Sequence, residues 1–122
     1  MNKRVKSFGY AGKGIRSVFR SEPNMKIHVL VAVLVLISGF LFKISLTEWL
    51  LCMVCFGLVL GAEMINTSIE NLVNLVSPEQ NPLAGKAKDA AAGAVLICAI
   101  FSAIIGLLIF IPKGWSLLLT IV

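Results

Sequence analysis

Glu63-Met-Ile-Asn66-Thr-Ser-Ile-Glu70 puts two carboxylates and an amide inside an otherwise apolar run. At 100° per residue, Glu63, Asn66, Glu70 and Asn74 fall within an arc of roughly 80°. They form one polar stripe on a mostly apolar rod. An ionisable side chain at membrane depth costs about 2.5–3.5 kcal/mol on insertion scales. Two such groups on one face of a small chain imply a use for them.

The run that holds the stripe is one of three. With 122 residues, 58% hydrophobic and only 14% charged, the chain lies outside the balance of soluble domains. Its apolar segments, 25–42, 48–75 and 90–111, each come near the roughly 20 residues that cross about 30 Å of hydrocarbon. The expectation is an all-α integral membrane protein with three transmembrane helices in a single domain, 1–122. Its spans are placed at about 25–42, 48–75 and 86–111. The first apolar segment follows a long basic stretch and lacks a small-residue cleavage site, so it reads as a span and not as a signal peptide.

Charge sets the expected orientation. Lys3, Arg4, Lys6, Lys13, Arg16, Arg20 and Lys26 precede the first span, and Lys86 and Lys88 lie between the second and third. Only Lys43 and Lys113 fall on the other side. The bias puts the N-terminus in the cytoplasm and the C-terminus outside. It accounts for the net charge of +5 without a nucleic-acid face.

Residues 1–21 read as an amphipathic surface helix. Phe8, Ala11, Ile15, Val18 and Phe19 recur on one side, and Lys6, Lys13, Arg16 and Arg20 on the other. Gly9, Gly12 and Gly14 weaken that helix. Gly12-Lys-Gly14 is too short for a phosphate loop. Glu22-Pro-Asn24 ends the surface helix and starts the next one. His28 reads as a polar residue at headgroup level, and Trp49 as an interfacial anchor. Cys52-x-x-Cys55 has redox or zinc spacing, but it sits in a span with no His or second Cys pair nearby. With Cys98, these read as small buried apolar residues.

Counting about 20 residues inward from Trp49 places Glu70 near the cytoplasmic interface, with Glu63 about 10 Å deeper. Glu22, Glu70, Lys88 and Asp89 are expected at one depth, with Glu63 and Asn66 just below. Paired carboxylates suit Mg²⁺ when phosphates supply the remaining oxygens. A lysine beside them neutralises phosphate charge. A carboxylate facing the lipid phase can accept a hydroxyl proton. Together these are the means of phosphoryl transfer from a nucleotide to a membrane alcohol. The competing structural reading pairs Glu63 with Lys88 across helices and lets Asn66 bond a neighbour. A small proton-coupled transporter would also use membrane acids, but near the midplane.

The motif Glu63-Met-Ile-Asn66-Thr-Ser-Ile-Glu70, followed by Ala87-Lys88-Asp89-Ala-Ala-Ala-Gly-Ala-Val95, resembles the prokaryotic diacylglycerol kinase family, and within it the undecaprenol kinase branch. The resemblance extends to Gly9-Tyr10, to Gly14-Ile-Arg-Ser-Val-Phe-Arg-Ser-Glu22 and to Glu48-Trp49. It implies a homotrimer with active sites shared between subunits and ATP-dependent phosphorylation of a lipid hydroxyl. It assigns Glu63 to the lipid hydroxyl, Glu22 and Glu70 to Mg²⁺ and nucleotide, and Tyr10, Lys88 and Asp89 to the nucleotide. Asn66 falls beside the catalytic centre, and the loop 79–81 where the family covers the nucleotide. The chain departs from the family at Asn74, where an aspartate is common. The resulting expectation is an ATP- and Mg²⁺-dependent undecaprenol kinase, with diacylglycerol as the alternative substrate.

Overall fold

The computed structural model describes residues 2–122 and holds four helices: α1 (Lys3–Ser21), α2 (Pro23–Leu41), α3 (Leu46–Val76) and α4 (Pro82–Ile121). Asn2 caps α1 by accepting from the Arg4 N–H at 3.2 Å. Glu22, extended at φ −96 and ψ 115, closes α1 and opens α2, with Pro23 in the first turn where its missing N–H costs nothing. The helix runs unbroken through Gly9, Gly12 and Gly14, although a side chain at any of them would meet nothing within 4 Å, and only Val18 of α1 is buried.

Lys43 turns the chain between α2 and α3 with a left-handed backbone, φ 52. Ser45 then starts α3 through a reciprocal capping box. It accepts from the Glu48 N–H at 3.2 Å, and Glu48 Oε1 accepts from the Ser45 N–H at 2.8 Å. At the same end, Ile44, Cys52 and Ile109 are buried among Val35, Phe42, Trp49, Phe56, Ile105 and Phe110. Trp49 does more than anchor at an interface: it packs on Phe40, ring centroids 5.0 Å apart, and over Gly39.

Helix α4 is longer than the sequence suggested, starting at Pro82 and continuing to Ile121. The expected end at 111 rested on the length of the apolar segment, and Pro112, whose ring removes a backbone donor, lies just beyond it. The structure carries the helix through it, and Lys113 Nζ ties the continuation to Glu48 Oε1 of α3 at 3.0 Å. All three cysteines are free; Cys52 and Cys55 are buried and Cys98 half-buried.

The distribution of side chains is the inverse of a soluble core. Leu58, Phe101, Leu107 and Leu108 are exposed, while Glu63, Asn66 and Thr67 are buried at 1%, 4% and 3%. Helices α2, α3 and α4 are each long and apolar enough to cross a bilayer. Apolar surface faces lipid at no cost, and polar groups turn inward. Helix α3 packs extensively against α4 and also against α2. Between these flanking helices runs an apolar groove of about 700 Å³.

Candidate functional site

The polar stripe folds inward where α3 meets α2. Glu63 and Asn66 are buried and Glu70 is half-buried one turn further on. The Asn66 side-chain N–H donates to Glu70 Oε1 at 3.1 Å. The groups close enough to act electrostatically on the Glu63 carboxylate are His28, Glu70 and Glu22. Three acids, Glu22 from the α1–α2 junction and Glu63 and Glu70 from α3, therefore share one neighbourhood.

His28 comes as an addition. Its Nε2 lies 3.6 Å from Glu63 Oε2, and no Glu63–Lys88 ion pair forms among the described residues. Among the described residues, four buried side-chain polar atoms have no hydrogen-bond partner: His28 Nε2, Glu63 Oε2, Asn66 Oδ1 and Thr67 Oγ1. Leaving such a group unmade costs about 1–3 kcal/mol, so a cluster of them is costly unless another molecule supplies partners. Sequence reasoning assigned His28 to the headgroups and passed over Thr67. The available signal was that His28 is the one imidazole of the chain and lies just inside a span.

The structure does not bring every candidate to this cluster. Tyr10 is exposed, its ring 5.9 Å from Lys13 Nζ. Lys88 is half-buried and Asp89 exposed in the second turn of α4. Among the described side chains, Glu22, Lys88 and Asp89 take no hydrogen bond or ion pair. Asn74 is exposed, away from the buried part of the stripe.

The donor set suits a hard divalent ion bound together with phosphate. Glu22 is uncommitted, Glu70 has one oxygen engaged by Asn66, and Asn66 Oδ1 is orphaned. Among the described residues no three His, Cys, Asp or Glu side chains form a closed metal cage. An ion such as Mg²⁺ needs only one or two carboxylates, with phosphates and water completing its shell.

The fold is that of a helical membrane protein with three helices able to span a bilayer and one buried acid, Glu63, beside the His28 end of an apolar groove. The chain belongs to the prokaryotic diacylglycerol kinase family, which it matches over residues 9–110. It is 47% identical over 113 residues to the undecaprenol kinase of Bacillus subtilis, covering 93% of this chain and 92% of that protein. It is 34% identical over 113 residues to a diacylglycerol kinase of Synechocystis, covering 92% and 65% of the two chains. To the diacylglycerol kinase of Escherichia coli it is 28% identical over 100 residues, 82% of each chain. The protein is therefore a lipid kinase and a multi-pass bacterial membrane protein. The transporter reading falls away.

Proposed function

We propose that this chain transfers the terminal phosphoryl group of ATP to the hydroxyl of undecaprenol. The observation that carries the reading is Glu63. It is a carboxylate 1% exposed with an unpartnered oxygen, reached through His28 from one end of the apolar groove. The Glu63 carboxylate takes the hydroxyl proton as the alcohol oxygen bonds to the terminal phosphorus and the bond to the ADP oxygen breaks. Such a base is worth about 10²–10⁴-fold. Asn66 fixes Glu70 beside it. Lys88 offsets charge on the phosphates, while Tyr10 and Asp89 contact the nucleotide. When bound, Mg²⁺ on Glu22 and Glu70 would screen the phosphates and stabilise the charge that develops on transfer. No covalent enzyme intermediate is needed; positioning and electrostatics do the work.

Tyr10, Lys88 and Asp89 complete the site from neighbouring subunits of a homotrimer. The small-residue face of α4 supports this: Ala90 and Ala94 are exposed on one side of the helix, and a side chain at Gly93 beside them would meet nothing within 4 Å. The N-terminus lies in the cytoplasm by the basic bias of its flank. Helix α1 lies along the interface, so ATP arrives from the cytoplasm and the lipid sideways.

Identity to the undecaprenol kinase of B. subtilis favours the polyprenol over diacylglycerol. Radiolabelled ATP with purified protein and mixed micelles of either alcohol tests the proposal. Faster transfer to undecaprenol is expected. A preference for diacylglycerol overturns the substrate, and transfer to neither overturns the kinase reading.

A further inference from the structure

His28 is the one member of the unpartnered polar cluster that also lines the apolar groove. It stands in the second turn of α2, and its Nε2 faces Glu63 Oε2 on α3 at 3.6 Å. That distance is too long for a hydrogen bond. Both atoms are buried and neither has another partner. A closure of roughly 0.8 Å brings them to a charge-assisted bond, and such contacts commonly tighten only in the substrate complex. The tautomer follows from the neighbour: a carboxylate oxygen accepts, so Nε2 carries the proton.

We infer that His28 is a positioning residue for Glu63. It donates to Oε2, fixes the carboxylate rotamer, and leaves Oε1 to meet the alcohol. This rests on Glu63 being the base. Because His28 lines the groove, it also makes the end of the groove polar where a lipid hydroxyl must arrive. Without the donor, the Glu63 side chain is free to turn. A misplacement of about 1 Å can cost about 10²-fold.

Four variants decide the matter: His28→Ala, His28→Gln, Glu63→Gln and the double variant His28→Ala with Glu63→Gln. Each is assayed with undecaprenol and radiolabelled ATP. His28→Ala should lower kcat by about 10–100-fold, with the KM for ATP within about twofold. His28→Gln places an uncharged N–H near the Nε2 position and should recover most of that loss. On the Glu63→Gln background, His28→Ala should cost nothing further, because a positioning residue has no effect once its target is gone. Full activity in His28→Ala, equal loss in the Ala and Gln variants, or undiminished loss on the Glu63→Gln background overturns the inference. Near-normal turnover of Glu63→Gln alone instead overturns Glu63 as the base.

Discussion

Asn66 gives its side-chain N–H to Glu70 Oε1 at 3.1 Å, one turn along α3, and keeps its own Oδ1 buried without a partner. The bond holds a half-buried carboxylate in place and aims a neutral oxygen into the same cluster. Asn66→Ala removes both. The expected result is a rise of several-fold in the magnesium needed for half-maximal activity, with the helical content unchanged. A magnesium titration that overlays the wild type would separate Asn66 from the site.

Glu22 and Glu70 come from the α1–α2 junction and from α3, yet both act on the Glu63 carboxylate. Neither makes an ion pair with another described residue. If they hold the metal with the nucleotide, Glu22→Gln and Glu70→Gln each weaken Mg²⁺-ATP binding. Turnover at saturating magnesium should recover further than turnover at limiting magnesium. Equal loss at both concentrations would remove them as ligands.

Glu63→Gln keeps the shape of the side chain and removes its basicity. Turnover should fall by about 10²–10⁴-fold. ATP binding, measured by equilibrium dialysis, should stay close to wild type, since Glu63 is assigned to the lipid hydroxyl and to neither the metal nor the nucleotide. A parallel loss of ATP affinity would mean that Glu63 belongs to the nucleotide side.

Much of this site could be read along one helix. The 100° period of α3 put Glu63, Asn66 and Glu70 on one face, and the structure joins the last two by a hydrogen bond. His28 escaped because the fact that matters, α2 packing against α3, links residues 35 positions apart and leaves no local trace. Gly9, Gly12 and Gly14 argued for a weak helix, yet α1 is continuous through them, with Asn2 capping its first turn. Helix α4 runs on past the expected end at 111, where Lys113 pairs with Glu48 of α3.

Gly39 lies at the far end of the bundle from Glu63, and its packing is tight. A Cβ there would stand 2.5 Å from Trp49 Cη2, 2.8 Å from Trp49 Cζ2 and 3.1 Å from Ile44 Cδ1. Gly39→Ala forces the indole off its seat, and overpacking of this kind costs about 1–3 kcal/mol. Thermal unfolding in mild detergent should shift down, while activity per folded molecule at low temperature stays near wild type. An unshifted transition would mean that Trp49 moves freely.

The last prediction concerns how the site is completed. Among the described residues of a single chain Tyr10 and Asp89 are exposed and Lys88 makes no ion pair, whereas their proposed nucleotide role calls for them near Glu22 and Glu70. The open face at Ala90, Gly93 and Ala94 offers close approach to a second subunit. Glu22 and Glu63 are already neighbours within one chain, so they are a poor pair for detecting sharing; Glu63 and Asp89 are a better one. Asp89→Asn and Glu63→Gln chains, each nearly inactive alone, should regain activity when co-assembled. Some sites then take Glu63 from one subunit and Asp89 from another, both intact. In the proposed trimers, mixed at random, a substantial fraction of sites combine the two wild-type groups, so recovery should exceed either parent by at least about tenfold, given the 10²-fold or greater loss expected for the base. Mixed assemblies that stay as inactive as their parents, or a protein that runs as a monomer while fully active, would place the whole site within one chain.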